Sequence, residues 1–384
     1  VEVTMKNITY CHYLDHVCGL KYCLTDKYVK VEYKQTPETF IVEEEINLDS
    51  LNYSNENGEY ILYKLVKKGI DTIYAIRVIS RFFKIPESNI KYIGLKDRDS
   101  TSIQYISIKK YLISEEYNSI NKPVIDSQNI KLYYIGYINK KLTRKSLIGN
   151  KFSIKIGDAI HREVVSDIFK KIIVHGLPSY YGYQRFGTKR YNTHLIGKYI
   201  VLKDYSRAVN ELLYSLYPRE SIDSLLARAK KKLDRVYRLH YERRITRLLR
   251  KRKFLEDIIF GLKKPLLLLF IEAYLSYLFN EALNKFIETY GWVDEREICV
   301  YGPRCNDDEE LYYEVLLREG LTSFSLIESL RSLGLSGWKR RIMLKPTNPK
   351  ILIRNGELWI DFSLKMGQYA TIVLRELFKE NLVI

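Results

Sequence analysis

An aspartate between two basic residues, Asp97 with Lys96 and Arg98, is the clearest candidate for chemistry in this chain. It belongs to a polar loop, GLKDRDSTS over residues 94–102, that joins two predicted short strands. Loops held between strands often carry catalytic groups. An unperturbed aspartate has a pKa of about 3.9, and neighbouring cations favour its ionised form. The sequence therefore predicts an ionised carboxylate here, with a surface turn and an ordinary salt bridge as the alternative interpretation.

A strongly basic segment, residues 228–253, holds thirteen Lys or Arg residues and two acidic residues. The whole chain has 63 Lys or Arg against 46 Asp or Glu, which gives a net charge of +17. Such an excess indicates an anionic partner, and it favours nucleic acid over a membrane surface. We predict a basic helix that contacts phosphates, although such contacts alone give no sequence specificity. A solvated helix face is the alternative.

Cysteines and histidines cluster near the start of the chain. The cluster consists of Cys11, His12, His16, Cys18 and Cys23. Its spacings match no common zinc pattern with a close CxxC pair. With Cys299 and Cys305 the chain has five cysteines, an odd number that does not indicate a disulfide framework. We therefore expect thiols, a reducing compartment and no metal, with a zinc site in the N-terminal cluster as the alternative interpretation.

Glycine spacing argues against a nucleotide cofactor. Gly182 and Gly187 have the spacing of a P-loop, but Thr188 and Lys189 stand in the wrong order for one. No two glycines in the sequence are two positions apart, so the G-x-G loop of dinucleotide-binding enzymes is absent. We expect no cofactor.

The most apolar stretch, residues 266–279, is interrupted by Glu272. It is too short to span a bilayer, so it predicts a buried helix and no membrane association. Near Val1 no charged segment precedes an apolar run, so no secretory signal is expected. These features predict a cytoplasmic, soluble protein. The sequence does not determine the oligomeric state, and a monomer is favoured.

Two regions of mixed strand and helix enclose a helical one. A turn and strand are predicted over residues 36–45, and Asp71 is a predicted helix N-cap. Alternating apolar residues predict further strands near residues 60–66, 90–93, 105–108, 130–137, 151–156 and 358–364, with helices over 162–175 and 371–379. Residues 204–333 have a helical pattern almost throughout. The predicted fold class is α+β, with a helical insertion.

Six motifs resemble those of the TruD family of pseudouridine synthases. GLKDRDSTSIQ resembles the family signature, GxKD followed by a basic residue and A-x-T-x-Q. The other motifs, in chain order, are KQTPETFIVEE, IGNKFSI, GLPSYYGYQRFG, AYLSYLFNEAL and FSLKMGQYATIVLREL. Together they extend from Lys34 to Leu377. Departures from the family pattern occur at Thr39, Ser100, Ser102, Ser179 and Leu275, and none of them removes the candidate aspartate.

The resemblance implies an isomerase that converts uridine to pseudouridine in tRNA, without a cofactor or metal. Position 13 of the D-arm is the expected target, and position 35 of tyrosine tRNA is a further candidate. By resemblance, Asp97 either attacks C1′ of the ribose or removes a proton from C2′. Lys34 is expected to pair with Asp97, and Phe40 and Phe152 to pack on the flipped base. Asn150 is expected to hydrogen-bond the base or to position the loop.

The resemblance also implies a pseudouridine-synthase fold, with a mixed or antiparallel sheet, for residues 1–180 and 340–384. Residues 181–339 would form a helix-rich TRUD insertion domain across a basic cleft. The residues predicted to bind RNA are Lys96, Arg98, Arg185, Lys189, Arg243, Arg244, Arg247 and Arg250. Two alternatives remain open. One is a non-catalytic tRNA-binding chaperone, and the other is a metal-dependent nuclease, which would need a carboxylate cluster around Asp97.

Overall fold

The protein is described from a computed structural model that defines residues 8–118, 122–233, 240–251, 254–292 and 296–384. Within α7, the side chains of residues 240, 241, 243 and 244 lie outside this description. The described strands are β1 (Ile8–Thr9), β2 (Tyr22–Cys23), β3 (Tyr33–Lys34), β4 (Phe40–Ile46), β5 (Tyr53–Ser54), β6 (Tyr60–Lys68), β7 (Lys91–Tyr92), β8 (Thr101–Lys109), β9 (Ile125–Asp126), β10 (Ile130–Ile138), β11 (Leu147–Asp158), β12 (Leu177–Pro178), β13 (Glu297–Val300), β14 (Trp338–Arg341), β15 (Met343–Leu344), β16 (Thr347–Arg354), β17 (Glu357–Lys365) and β18 (Leu382–Val383). The described α-helices are α1 (Asp15–Cys18), α2 (Thr72–Phe83), α3 (Arg162–His175), α4 (Thr193–Val201), α5 (Tyr205–Leu213), α6 (Ile222–Ala229), α7 (His240–Arg250), α8 (Leu255–Phe260), α9 (Lys264–Tyr290), α10 (Glu309–Arg318), α11 (Ser323–Ser332) and α12 (Ala370–Phe378).

A ten-stranded mixed sheet has the strand order β16-β17-β11-β4-β8-β6-β10-β5, with β7 paired to β8 and β9 paired to β10. Its described neighbours are antiparallel except β4 and β8, which run parallel. The alternating apolar residues of β11 and β17 bury one face of these strands, and β6 is buried on both faces over its first four residues. The predicted α+β class with a mixed sheet is confirmed.

Two hydrophobic clusters cover different halves of one face of this sheet. On one half, Ile76 and Ile79 of α2 pack with Tyr63 of β6. On the other half, Phe169 of α3 packs on Phe362 of β17, with ring centroids 5.8 Å apart. The parallel pair of β4 and β8 lies between the two halves. Polar side chains at this seam are therefore positioned between two packed cores.

The helix boundaries near the seam follow from local sequence. The Asp71 carboxylate caps α2 by accepting a hydrogen bond of 2.8 Å from the Tyr74 backbone N–H. Helix α3 ends at Gly176, whose φ of 74° is positive. Glycine adopts such a φ without strain because it has no Cβ. Both helices were predicted from these residues, and both predictions are confirmed.

The basic segment is not the single helix that the sequence suggested. Helix α6 ends at Ala229 and α7 begins at His240, so the segment is interrupted. Arg228 at its start has a side chain that is 1% exposed, and its guanidinium binds Glu220 and Glu242 at 2.8 and 2.9 Å. Arg228 is therefore a buried structural residue and does not contribute to a basic surface.

The helical middle region also contains a strand that the sequence did not predict. Strand β13 pairs with β14, and the register joins Glu297 to Arg341. The four residues of β13 are too few to show a clear alternation, and their partner lies about forty residues later in the chain. Pairing at such a distance leaves no local signal in the sequence.

Helix α9 is longer than the apolar stretch predicted, because it extends over 27 residues. By length and composition it could cross a membrane, which corrects the expectation that the stretch is too short. The most apolar 18-residue segment of this helix is nevertheless 61% buried inside the protein. Tyr274, Leu275 and Leu278 are fully buried, so the prediction of a buried core helix is confirmed.

Candidate active site

A row of directly paired side chains crosses the seam of the sheet. Phe152 of β11 pairs with Val42 of β4, which pairs with Ser102 of β8, which in turn pairs with Lys67 of β6. Directly paired residues project from the same face of a sheet. The row therefore changes from aromatic to cationic within four strands, on the face that the two clusters flank.

A second row of paired residues lies two positions along each strand from the first, and it contains a buried ion pair. Glu44 of β4 pairs with Asn150 of β11, and its side chain is 0% exposed. The Glu44 carboxylate accepts hydrogen bonds from the Tyr105 backbone N–H at 3.1 Å and from Gln104 Nε2 at 3.4 Å. Lys96 Nζ lies 3.4 Å from Glu44 Oε1 and also donates to Asn150 Oδ1. The buried carboxylate is thus balanced by a lysine from the Asp97 loop.

The loop that carries Asp97 is fixed through its backbone. Gln104 Nε2 donates to the carbonyl oxygen of Gly94 at 2.8 Å, and the Lys96 backbone N–H donates to Thr72 Oγ1 at 3.0 Å. Ser100 Oγ donates to the Asp97 carbonyl oxygen at 2.9 Å. These contacts come from α2, from β8 and from the loop itself, so the loop backbone is hydrogen-bonded both to the sheet and to the helix.

A cavity of about 210 Å³ opens beside this loop. Its lining residues are Gln35, Phe40, Val42, Leu95, Lys96, Asp97, Ser100, Asn150, Phe152, Gln184, Gln368, Tyr369, Ala370 and Thr371. Five residues predicted from the sequence therefore meet here: the carboxylate Asp97, Lys96, the amide Asn150 and the two phenylalanines. A carboxylate beside aromatic and amide groups suits a planar polar ring joined to a sugar.

Both phenylalanines are almost completely buried, Phe40 to 7% exposure and Phe152 to 6%. Their ring centroids are 5.8 Å apart in an edge-on arrangement, and Phe152 also stacks on Phe362 at 5.5 Å. They are therefore core residues whose remaining surface contributes to the cavity wall. The two interpretations of these residues, core packing and base contact, are compatible in this geometry.

The pKa of Asp97 is shifted upward, whereas the adjacent cations in the sequence predicted a downward shift. Asp97 as a whole is exposed, but its carboxyl group lies close to the surrounding protein, and this partial desolvation raises the pKa of Asp97 above its ordinary value. Lys67 and Lys96 oppose this shift, and Asp99 adds to it. The adjacent cations therefore do not dominate, because the loop places the carboxyl in a partly dehydrated cavity.

The cation that acts most strongly on Asp97 is Lys67. Lys34, predicted as the partner of Asp97, is exposed on β3 and is not among the residues lining the cavity. The neighbouring residue Gln35 does line the cavity and donates to the Asp99 carbonyl oxygen at 2.9 Å, so the pairing of Lys34 with Asp97 stays a prediction.

The residues predicted to bind RNA separate into inward and outward groups. Lys96 and Arg185 point inward, because Lys96 pairs with Glu44 and Arg185 binds Glu272 at 2.9 Å. Arg98 and Lys189 are exposed. In α7, Arg247 and Arg250 are exposed residues, whereas the side chains of Arg243 and Arg244 lie outside the described residues. Of the basic residues predicted to bind RNA, Lys96 and Arg185 thus form ion pairs within the protein, whereas Arg98 and Lys189 are exposed to solvent.

Three residues of the site were missed from the sequence: Lys67, Glu44 and Gln104. Each has a charged or polar side chain at a position that should face the core. Lys67 is in phase with the buried residues Ile61, Tyr63 and Leu65 of the same strand, and its side chain is 0% exposed. A charge in phase with a buried stripe is the signal that could have identified them.

The cysteines contradict the expectation of thiols. Cys11 and Cys23 form a disulfide, as do Cys299 and Cys305, and Cys18 is a buried free thiol. The first pair meets because β1 and β2 are antiparallel neighbours, which places Cys23 opposite Ile8. The pairing of two short strands could not be inferred from cysteine count.

Cys11, Asp15 and Cys23 are close enough for a metal site, with ligand atoms within 4.8 Å of one another. The residues do not fit that role. The two sulfurs are bonded to each other, and Arg375 donates to both carboxylate oxygens of Asp15 at 2.8 and 2.7 Å. Tyr183 Oη also donates to Asp15. This buried group therefore joins the N-terminal segment to α12.

The chain is similar to known proteins over most of its length. The family model described as tRNA pseudouridine synthase D (TruD) matches residues 18–301 and 301–377. The chain is 30% identical over 385 residues to the tRNA pseudouridine synthase D of Aquifex aeolicus, covering 91% of this chain and 98% of that protein. A crystal structure assigned to tRNA pseudouridine synthase D of Methanosarcina mazei has a TM-score of 0.75 at 23% identity, and the match covers 96% of this chain and 98% of that one.

The structural match shows a common fold. The tRNA pseudouridine synthases D, which the family model and the Aquifex aeolicus relative represent, are isomerases. Because the family model and the Aquifex aeolicus relative extend over most of the sequence, the chain belongs to the tRNA pseudouridine synthase D family.

Proposed function

We propose that this protein isomerises a uridine of tRNA to pseudouridine, with Asp97 as the group that acts on the ribose. The observation that carries the proposal is the cavity itself, where Asp97 lies beside Phe40, Phe152 and Asn150. The aromatic rings supply apolar surface for a base removed from its stack, and the amide can hydrogen-bond the base edge. The carboxylate is then beside the sugar of the same nucleotide.

The reaction needs only groups that the cavity contains. The N1–C1′ bond breaks, the base turns, a C5–C1′ bond forms, the proton on C5 is lost and N1 gains one. Atoms and electrons balance without an oxidant or reductant, and therefore we propose that no cofactor or metal takes part. Asp97 acts as an ionised carboxylate, either by attack on C1′ or by removal of the C2′ proton. Its raised pKa means that the ionised form is lost at a higher pH than in an aspartate with an ordinary pKa.

The finer assignments belong to the same proposal. The target is uridine 13 of the D-arm, and position 35 of tyrosine tRNA is a further candidate. Exposed Arg98, Lys189 and Arg247 are available for phosphate contacts. We propose that the enzyme is a cytoplasmic monomer.

We propose a division into a catalytic domain, residues 1–180 and 340–384, and an insertion domain, residues 181–339. The support is that the ten-stranded sheet lies in the first part, whereas helices α4 to α11 lie in the second. Strand β14 crosses the boundary at residues 339–340, and it pairs with β13 of the insertion. The boundary therefore fits better just after Arg341.

The test is pseudouridine mapping by carbodiimide labelling and primer extension on unmodified tRNA transcripts. Wild type is expected to produce a stop at one position, and Asp97→Asn none, with tRNA affinity within threefold of wild type. Asp99→Asn is the matched control, because Asp99 is an acidic residue of the same loop that does not line the cavity. It should retain the stop.

A stop with Asp97→Asn would refute the role of Asp97. No stop on any tRNA with wild type, while tRNA binding and refolding effects persist, would favour the chaperone. Chelator-sensitive cleavage of the RNA would favour the nuclease.

A further inference from the structure

Lys67 has its charged group enclosed under the Asp97 loop. The side chain is 0% exposed, and Nζ donates to the carbonyl oxygens of Ile70 at 2.8 Å, Lys96 at 3.2 Å and Asp97 at 2.9 Å. Two of these acceptors belong to the loop that carries the candidate catalytic carboxylate, and one is the carbonyl of Asp97 itself. The lysine thus connects β6, the start of α2 and the loop through a single atom.

The number of bonds matters for the protonation state. An ammonium ion has three N–H donors, and the neutral amine has only two. Lys67 can therefore bond all three carbonyl oxygens at once only while it is charged. A neutral amine would lose one of these bonds and an apolar side chain would lose all three, which would leave Ser100 Oγ as the donor to the Asp97 carbonyl oxygen.

Core packing alone does not account for this residue. Fully buried lysines are rare, because an apolar side chain of similar length would fill the space without the cost of removing a charge from water. Lys68, the next residue, is exposed and pairs with Glu38 at 3.0 Å in the ordinary manner of a surface lysine. The buried charge of Lys67 lies at the end of β6 that contacts the Asp97 loop.

We propose that Lys67 is a positioning residue for the reaction: its ammonium ion fixes the backbone of residues 96–97 and so sets where the Asp97 carboxylate lies. The inference rests on the proposed function of that carboxylate. Lys67 does not contact RNA, since no part of its side chain reaches the surface. Catalytic groups need to be held to within about 0.5 Å of the productive geometry by such supporting contacts.

The hydrogen bonds of Lys67 to the loop should depend on pH, because nearby charged groups and burial set the pKa of Lys67. Asp97 on the loop and Asp71 at the start of α2 favour its charged form, while Lys96 on the loop opposes it. Burial outweighs these effects and lowers the pKa of Lys67 to about 8. The hold on the loop should therefore weaken as the pH rises above about 8.

The test compares Lys67→Met and Lys67→Arg with wild type, and Lys68→Met is the matched control. Single-turnover rates and tRNA affinity are measured between pH 7 and pH 9.5. We expect Lys67→Met to lose about 30-fold or more in rate at pH 7 with affinity within twofold, and Lys68→Met to match wild type. The wild-type rate should fall with an apparent pKa near 8. Lys67→Arg, which cannot lose its proton in this range, should recover part of the rate and lose that fall.

Hydrogen exchange of the amides of residues 94–99 is measured in parallel, because it reports on the loop without any turnover. Lost protection in Lys67→Met, but not in Lys68→Met, is expected. Should wild type form no pseudouridine, the proposed function fails, while the exchange result still decides whether Lys67 positions the loop.

The proposal is overturned if Lys67→Met stays folded with a rate within threefold of wild type or with unchanged loop protection. It is also overturned if the variant weakens tRNA binding without changing the rate. Should Lys67→Met not fold, a wild-type rate that does not fall up to pH 9.5 overturns it.

Discussion

Lys96 and Arg98 flank Asp97, and the structure assigns them opposite surroundings. The Lys96 side chain is 13% exposed and bonds Glu44 and Asn150, whereas Arg98 is an exposed residue. Replacing Lys96 by Met should therefore affect the fold rather than the contact with RNA. Replacing Arg98 by Met should do the reverse, which makes the two variants controls for each other.

The expected loss of stability in Lys96→Met follows from the surroundings of Glu44. Its side chain is 0% exposed, so Lys96→Met leaves a buried carboxylate without its cation. Removal of one partner of a buried pair costs about 3–5 kcal/mol. The 3.4 Å separation and the remaining donors, Tyr105 N–H and Gln104 Nε2, place this pair at the low end. We expect the free energy of unfolding to fall by about 3 kcal/mol in Lys96→Met and by less than about 0.5 kcal/mol in Arg98→Met.

Two assays separate the effects. Urea denaturation measures the free energy of unfolding, and tRNA binding at several salt concentrations gives the slope of log affinity against log salt. Lys96→Met should leave that slope unchanged, whereas Arg98→Met should reduce it by about one, the value for a single lost phosphate contact. A reduced slope in Lys96→Met with unchanged stability would refute this reasoning, since it would mean that Lys96 leaves Glu44 and binds phosphate.

Three further predictions concern stability. Asp97→Asn should raise the free energy of unfolding at pH 7. Because burial raises the pKa of Asp97, its contribution to stability is present at low pH and lost as the pH rises through the raised pKa, so the gain measured by urea denaturation should vanish below about pH 3.9. Arg375→Met should cost about 3–5 kcal/mol, and a double variant with Asp15→Asn should recover part of it, as a double-mutant cycle would show; additive losses would contradict the pairing. Replacing Cys299 and Cys305 together by Ser should cost about 2 kcal/mol, and adding a reductant should lower the melting temperature of wild type but not of that variant.

Local patterns predicted the parts of the fold in which neighbouring residues decide the outcome. The alternation in residues 60–66 became β6, and the Asp71 cap and Gly176 set the ends of α2 and α3. The five cavity residues were found through an ordered set of motifs. Since the motifs are far apart along the chain, they identified the members of the site without their distances.

Features that depend on distant pairing were not accessible in the same way. Whether Lys34 or Lys67 acts on Asp97 depends on which strands join at the seam, and β3 pairs with β18 from the far end of the chain. The direction of the Asp97 pKa shift depends on how much water reaches the cavity. The inward orientation of Lys96 depends on Glu44, which is about fifty residues earlier.

The order in which the chain is synthesised has a consequence for when the enzyme can first act. Strand β11 gains its neighbour β17 only at residues 357–365, and the cavity wall is completed by residues 368–371. Helix α12 is then fixed through Arg375 to Asp15 near the opposite end of the sequence. Such long-range closure is slow compared with local folding. A nascent chain on the ribosome, although it already carries its carboxylate and most of its basic surface, therefore lacks a closed pocket until residues 357–371 have been synthesised.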